Sequence, residues 1–337
     1  MRDMPPTVDF HNDLPLYVWK QRKKGKNKVI ESLYYNDIKA GGVSVIVAPI
    51  FLENEFLPEM ATRSGLSQLM SFIEDVEESP ELMCICVTAE EVRAAAARGK
   101  VAFILAFEGL EPIQTDLGLL KAFYKLGVRV CGLTWSRRNF VSDGCGFGVT
   151  ETEKKSGLTA FGREAVTKAL DLGMLLDVSH ISEEGFWDTL SLASGSGRVI
   201  ASHTCCRTVN NIMRNFSDEQ IKALAAAGGV IGINGVSKIA SPGPERNSLD
   251  TLVDHIEHIT QLVGIEHVGY GFDLYTYYKN PDFELPQPTG GFVDPPDLLP
   301  SYPYLNDLEA ILARRGFSQA DIDKVRGGNW MRVLRQL

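Results

Sequence analysis

The sequence predicts an α/β fold, a closed (β/α)8 barrel of the TIM type. Short runs rich in β-branched residues alternate with amphipathic helical stretches along all 337 residues. The runs are almost continuously apolar, which is typical of parallel strands covered on both faces. Eight such units favour a closed barrel over an open doubly wound sheet, because no GxGxxG motif follows the first strand. The predicted strands cover 8–11, 43–49, 101–107, 128–134, 174–179, 199–202, 229–233 and 267–271.

Helices are predicted in the stretches between these strands. The stretch that starts at Ser217 opens with SDEQ, a capping box that satisfies free N–H groups at a helix start. Glycine follows many of the stretches, as is common at helix C-termini. One further helix over 88–99 lengthens the second connection, and a proline-rich loop over 281–303 follows the last strand before two terminal helices. The other predicted helices cover 65–78, 117–126, 162–172, 183–193, 217–227 and 248–263.

Composition predicts a soluble globular protein whose residues 1–337 form one barrel domain. Hydrophobic residues make up 44% of the chain and charged residues 23%, which is ordinary for such a protein. The formal charge of −9 argues against a nucleic-acid partner, because binding to phosphates needs a basic surface. The one basic run, KQRKKGKNK at 20–28, is predicted to be a solvated loop. No apolar stretch is long enough for a signal peptide or a transmembrane helix, so no membrane partner is expected.

The six cysteines predict reduced thiols and a cytoplasmic location. Cys84 and Cys86 have the spacing of a single strand, and Cys205 and Cys206 are adjacent. Neither pair has the pattern of a disulfide framework.

Polar side chains follow the predicted strands at the point where each strand ends. The active site of a barrel of this kind forms at the C-terminal ends of its strands, and three of the six histidines occupy such ends. Taken singly, each residue has a structural alternative, such as a salt bridge or a hydrogen bond at the rim. Their convergence on one mouth instead favours one or two bound metal ions. The residues are His11, Asp13, Glu108, Trp135, His180, His203 and Asp273.

The HxD pattern of His11 and Asp13 places both side chains on one face of an extended strand. An imidazole and a carboxylate together suit a cation such as Zn²⁺. The remaining histidines, His255, His258 and His267, lie on a predicted helix or before a strand, and surface roles are predicted for them.

The motifs around these positions resemble those of the membrane (renal) dipeptidase family, peptidase family M19. The resemblance runs from His11 to the closing GGNWMRVL and is carried by FHNDLP, AFEG, LTWSRRN, LLDVSHISEEGFWD, ASHT, RNFSDEQIKALAAAGGVIGI and HVGYGFD. It implies an amidohydrolase-like, metal-dependent barrel hydrolase that cleaves dipeptides with two zinc ions. It implies His11 and Asp13 on one zinc, His180 and His203 on the other, and Glu108 bridging both.

The resemblance also implies residues that bind substrate. Arg214 matches the family's arginine for the substrate carboxylate, and Asp273 matches the aspartate near the substrate amine and the scissile bond. Two positions depart from the family pattern. Trp135 stands where mammalian members carry histidine, and Tyr275 in GFDLYTYY replaces a second carboxylate. The pocket wall is therefore altered, and the preferred side chains of the substrate stay open.

The predicted function is that of a zinc-dependent dipeptidase that cleaves dipeptides with a free C-terminal carboxylate through a metal-bridging hydroxide. Glu108 and Asp273 are the predicted catalytic residues, and Arg214, Trp135 and Asp273 are predicted to bind substrate. Four alternatives remain at this point. Two concern the whole protein, which could be a binuclear-metal amidohydrolase for a lactam, cyclic amide or ester, or a barrel that only binds a ligand. The other two concern single residues. In one, Arg214 is a surface residue paired with Asp218 or Glu219, and in the other, Asp273 only orients His11. The resemblance also implies a homodimer as the expected oligomeric state.

Overall fold

The structure of the protein is a computed structural model that describes residues 5–274 and 297–337. Tyr275 and most of the predicted proline-rich loop over 281–303 lie outside the described residues.

A closed parallel barrel forms the centre of the fold. Eight strands follow one another around it in the order β2-β1-β9-β8-β7-β6-β5-β4, and the pairing of β2 with β4 closes it. All of these pairings are parallel, so the predicted (β/α)8 barrel is confirmed. The strands in the described residues are β1 (Thr7–Asp9), β2 (Val43–Phe51), β3 (Met83–Ile85), β4 (Val101–Glu108), β5 (Val128–Gly132), β6 (Leu175–Asp177), β7 (Val199–Thr204), β8 (Ile231–Ile233) and β9 (Val268–Tyr270).

The short strand β3 is an addition that the sequence analysis missed. It pairs with the first residues of β4, and β5 takes over the same edge from Leu105 onward. Three residues give too short a pattern to reveal a strand. The helix predicted after it is confirmed as α4.

The helices lie in the connections and after the last strand. The capping box at Ser217 is confirmed, with both reciprocal hydrogen bonds to Gln220 present. The helices in the described residues are α1 (Leu14–Lys23), α2 (Tyr35–Ala40), α3 (Ala61–Glu77), α4 (Ala89–Ala97), α5 (Leu117–Lys125), α6 (Ala160–Asp171), α7 (Glu183–Leu192), α8 (Asp218–Ala226), α9 (Ser237–Ala240), α10 (Leu249–Val263), α11 (Leu305–Arg314), α12 (Gln319–Asp323) and α13 (Asn329–Leu334).

Only the second half of the basic run is the solvated loop that the sequence predicted, since residues 24–28 lie outside any helix or strand and are mostly exposed. The first four residues of the run belong to α1. Lys20 Nζ lies 2.7 Å from Glu53 Oε1, and Arg22 Nη1 lies 3.3 Å from the buried Asp75. Carboxylates of neighbouring elements therefore neutralise these cations and allow them to lie in a helix.

Alternate residues of the strands form two layers of core. On β4, Phe103, Leu105 and Phe107 join a large cluster that includes the surrounding helices, whereas Ala102 and Ile104 join a second cluster. This second cluster fills the barrel and includes Trp330 of α13. The ring of Trp330 stacks on Phe10 at 3.8 Å between centroids and donates a hydrogen bond to Tyr270 O. The packed interior holds the strand ends in fixed positions at the barrel mouth.

All six cysteines lie in the described residues, and each is a free thiol. Over 5–274 and 297–337, none of the helices combines the length and the apolar character that crossing a bilayer requires.

Candidate metal centre

The seven polar residues predicted at the strand ends all lie at the C-terminal mouth of the barrel. Glu108 is the last residue of β4, and His203 lies within β7. The other five follow their strands by two to four residues, namely His11, Asp13, Trp135, His180 and Asp273.

The structure brings the five predicted metal ligands together. Glu108 Oε1 lies 3.0 Å from His180 Nε2, 3.5 Å from His203 Nε2 and 3.7 Å from His11 Nε2. His11 Nε2 in turn lies 3.6 Å from Asp13 Oδ1. Glu108 Oε1 is therefore the atom on which the three imidazole Nε2 atoms converge.

The donor atoms of this cluster fit bound metal ions. Within 5–274 and 297–337, His11 Nε2 and Asp13 Oδ1 are buried without a hydrogen-bond partner, although buried polar groups are normally paired. Ligand atoms of His11, Glu108 and His203 lie within 4.8 Å of one another, as do those of His11, Asp13 and Asp273. Imidazole nitrogens and carboxylate oxygens are ligands that Zn²⁺ accepts.

The charge distribution also favours a cation between these residues. Burial alone would lower the pKa of His11, but Glu108, Asp13 and Asp273 outweigh burial and raise that pKa to about 10. Burial and the neighbouring Asp13 raise the pKa of Glu108 well above its usual range. The surroundings of His11 thus attract positive charge, which a metal ion would supply in place of a proton.

His180 and His203 are held in the neutral form that metal binding needs. Burial, together with the positive charges of Arg214 and His11, lowers the pKa of both imidazoles well below the usual value. A neutral imidazole has a nitrogen lone pair available for a metal.

Arg214 lies beside this cluster and is completely buried. Its Nη1 donates to Ser179 O at 2.6 Å, and its Nη2 donates to His203 O at 2.7 Å and lies 3.1 Å from His180 Nε2. The alternative of a surface ion pair with Asp218 or Glu219 is therefore wrong. Among the residues that the structure describes, the buried Nε of Arg214 has no hydrogen-bond partner.

Asp273 follows β9, the strand that pairs with β1, and faces His11. Its Oδ2 accepts a hydrogen bond from Asn234 Nδ2 at 3.1 Å, and its Oδ1 lies 4.0 Å from His11 Nε2. Asp273 has a positive φ of 55°, a conformation that costs energy in a residue other than glycine. Its backbone N–H donates to His11 O at 3.0 Å, which fixes this turn against β1.

Trp135 forms part of an aromatic wall beside the cluster. Its ring stacks on His180 with 5.8 Å between centroids and contacts Phe51 at 5.4 Å and Phe147 at 5.9 Å. The Arg137 guanidinium lies 5.2 Å from the Trp135 ring, close enough for a cation–π contact.

Several polar residues that support the site were missed in the sequence. Asp177, Ser179 and Ser202 lie behind the histidines, and Asn234 contacts Asp273. The signal for Asp177 is its place in the apolar run LLDVSH, since a carboxylate inside a buried strand needs donors around it. Asn234 is the first polar residue after the strand over 229–233.

The surface role predicted for His255 is wrong. Its side chain is completely buried, accepts from Cys206 N at 3.1 Å through Nδ1 and lies 2.9 Å from Ala240 O through Nε2. Burial lowers its pKa to about 4. His258 is half-buried and lies 2.7 Å from Asp218, and His267 Nδ1 lies 2.8 Å from Gly229 O.

Comparison with solved structures supports the same fold. The structure of a metallopeptidase from Rhodobacter sphaeroides, bound to a phosphinate mimic of the dipeptide L-Ala-D-Ala, superposes with a TM-score of 0.83. The match has 24% sequence identity and covers 99% of each chain.

Comparison with relatives identifies the family. A protein of Schizosaccharomyces pombe named as an uncharacterised dipeptidase is 28% identical and is matched over 98% of this chain and 80% of its own length. Dipeptidase 3 of Rattus norvegicus is also 28% identical, over 100% of this chain and 66% of its own length. Residues 1–337 match the family described as membrane dipeptidase, peptidase family M19. The chain therefore belongs to the membrane dipeptidase family, peptidase family M19, and is a metallo-dipeptidase.

Proposed function

We propose that the protein is a zinc-dependent enzyme that hydrolyses the amide bond of dipeptides with a free C-terminal carboxylate. The observation that carries the proposal is the convergence of three imidazole Nε2 atoms on Glu108 Oε1, all within 3.7 Å. His11 and Asp13 would hold one zinc ion, His180 and His203 would hold the other, and Glu108 would bridge both. When bound, the two zinc ions supply a hydroxide nucleophile at neutral pH and polarise the scissile carbonyl.

Asp273 acts as the general acid–base in this proposal. Its Oδ2 is occupied by Asn234, so Oδ1 is the oxygen that faces the site. Burial raises the pKa of Asp273 to about 7, with His11 opposing the shift and Asp13 adding to it. A carboxyl group beside the scissile bond can accept a proton and pass it to the leaving amine.

Arg214 binds the substrate carboxylate in this proposal. Its guanidinium is fixed by the carbonyl oxygens of Ser179 and His203, and its Nε donor has no partner in the described part of the chain. A charge-assisted hydrogen bond from a fixed donor gives both affinity and orientation. Trp135 contributes the apolar wall on the side of His180.

The test is a hydrolysis screen of the zinc-loaded enzyme. Dipeptides with free carboxylates should be cleaved, and metal analysis should find two zinc ions in each chain. Turnover of a lactam, cyclic amide or ester in preference to every dipeptide would overturn the proposed substrate class. The proposal includes a cytoplasmic location, which suits six free cysteines. The proposal also includes a homodimer, and analytical ultracentrifugation should measure the mass of two chains.

A further inference from the structure

A buried network of three side chains, Asp177, Ser179 and Ser202, lies behind the metal-facing histidines. Ser202 Oγ lies 2.6 Å from Asp177 Oδ2, 2.7 Å from His203 Nδ1 and 3.5 Å from His11 Nδ1. Ser179 Oγ lies 2.7 Å from Asp177 Oδ1. The Ser202 hydroxyl therefore contacts the outward nitrogens of two predicted metal ligands, His203 and His11.

The Asp177 carboxylate is held rigidly by the strands on which the network lies. Besides the two hydroxyl groups, its Oδ1 accepts from Ser202 N at 2.8 Å and from Ser179 N at 3.1 Å. These contacts tie the end of β6 to β7. The orientation of the carboxylate is thus set by backbone groups of the barrel.

The direction of each hydrogen bond follows from the carboxylate. Carboxylate oxygens accept hydrogen bonds, and the Ser202 hydroxyl donates to Asp177 Oδ2. Its lone pairs then face the imidazole of His203, and Nδ1–H of His203 donates to Ser202 Oγ. In this tautomer the lone pair of His203 lies on Nε2, the nitrogen that faces Glu108 Oε1 at 3.5 Å.

We propose that Asp177 and Ser202 are positioning residues that fix the tautomer and ring orientation of His203 and, at the longer distance, of His11. The inference rests on the metal centre of the proposed function. Partners of this kind on the outward nitrogen of a metal-binding imidazole usually contribute about 10–100-fold in metal affinity. The ring centroids of His11 and His203 are 3.6 Å apart, so the one hydroxyl can influence both.

Ser179 provides a matched control for Ser202. Both serines are buried, and both donate to the same carboxylate. Ser179 Oγ accepts from the backbone N–H of His203 at 3.1 Å. In the part of the chain that the structure describes, only Ser202 of the two contacts an imidazole nitrogen.

The experiment measures the dissociation constant of Zn²⁺ by competition with a chelator in the wild type, Ser202→Ala, Ser202→Thr and Ser179→Ala. We expect about 10–100-fold weaker zinc binding in Ser202→Ala and a change below about threefold in Ser179→Ala. Ser202→Thr keeps the hydroxyl and should restore most of the affinity. Circular dichroism of each metal-free variant shows whether it is folded.

Two results separate this inference from the proposed function. A wild type that binds no zinc overturns the proposed function and the inference with it. A wild type with two zinc ions and equal affinities in Ser202→Ala and Ser179→Ala overturns the inference alone.

Should Ser202→Ala fail to fold, the zinc-loaded wild type labelled with 15N-histidine gives an independent test. We expect a His203 Nδ1–H signal that exchanges slowly with solvent and shows through-space contacts to Ser202. Rapid exchange of that proton would overturn the proposed hydrogen bond.

Discussion

His180 and His203 bring their Nε2 atoms to within 2.8 Å of each other, and Glu108 Oε1 lies within 3.5 Å of both. Two buried neutral imidazoles cannot both direct a lone pair at the other without repulsion. The arrangement is stabilised when a cation accepts both lone pairs and the carboxylate neutralises its charge. This relationship makes Glu108 the residue on which the metal centre depends most.

Replacing Glu108 by glutamine should therefore lower the zinc content from two ions to one or none. Gln keeps the size of the side chain, but the loss of its negative charge weakens binding at both sites. The measurement is zinc stoichiometry after removal of unbound metal. Glu111→Gln is the matched control, because Glu111 is equally buried and lies 2.8 Å from Arg137. Two zinc ions and full activity in Glu108→Gln would show that this carboxylate is not a bridge.

Removing the metal ions should abolish activity and lower the stability of the fold. Without metal, the carboxylates of Asp13, Glu108 and Asp273 face one another with His11 as the cation among them. Ligand at about 100 times its dissociation constant stabilises a protein by roughly 2.7 kcal/mol. We expect a lower melting temperature after chelation and its recovery when Zn²⁺ is added back. An unchanged melting temperature would argue against these ions as part of the folded structure.

Specificity should depend on the free carboxylate of the substrate. If Arg214 binds it, dipeptides amidated at the C-terminus should be poor substrates of the wild type. Arg214→Met should raise KM by more than about tenfold, since a hydrogen bond to a charged group contributes roughly 1.5–3 kcal/mol. Initial rates with paired free and amidated dipeptides provide the measurement.

The comparison of free and amidated dipeptides as substrates of the wild type decides this prediction. Arg214 donates to the carbonyl oxygens of Ser179 and His203, so its replacement also leaves two buried acceptors without their donor. Unfolding of Arg214→Met by urea shows how much of the effect is structural. Equal rates on free and amidated dipeptides would exclude carboxylate recognition.

Acid should destabilise the fold through His255. Burial lowers its folded-state pKa to about 4 from 6.5, so the neutral form stabilises the fold above pH 6.5. That contribution is lost as the pH falls from 6.5 towards 4 and totals about 3 kcal/mol. We measure the free energy of unfolding in urea at pH 7 and at pH 5. Between these pH values, it should fall by about 2 kcal/mol less in His255→Gln than in the wild type. An equal loss of stability between pH 7 and pH 5 in His255→Gln and in the wild type would refute the assignment.

The apolar pattern predicted the barrel and the strand ends predicted the metal centre, because both depend on local composition. The C-terminal ends of the strands of a barrel meet at one mouth, so the sequence alone predicted that His11, Glu108 and His203 lie together. The sequence could not predict the roles of Asp177, Ser202 and Asn234, because these roles depend on which strands are neighbours. The burial of His255 was missed for the same reason, whereas β3 was missed because three residues give too short a pattern. Only tertiary packing distinguishes a buried polar residue from one at the surface.

Asp273→Asn should lower kcat by about 10²–10⁴ while both zinc ions remain bound, the usual scale for loss of a general acid–base. The structure makes this a sharp test, because ligand atoms of Asp273, His11 and Asp13 lie within 4.8 Å of one another. Asp273 therefore has the geometry of a ligand as well as that of a proton carrier. Asparagine keeps the size and can keep a contact with Asn234, but it cannot accept a proton.

Zinc stoichiometry and kcat measured on the same sample separate the two roles of Asp273. Asn234→Ala is the control, since it removes the hydrogen bond to Oδ2 and leaves the carboxyl group in place. We expect it to lower kcat less than Asp273→Asn, because a misdirected carboxyl group still transfers protons some of the time. Loss of a zinc ion in Asp273→Asn would make Asp273 a ligand. A rate within about threefold of the wild type would exclude proton transfer, since a general acid–base contributes at least about a hundredfold.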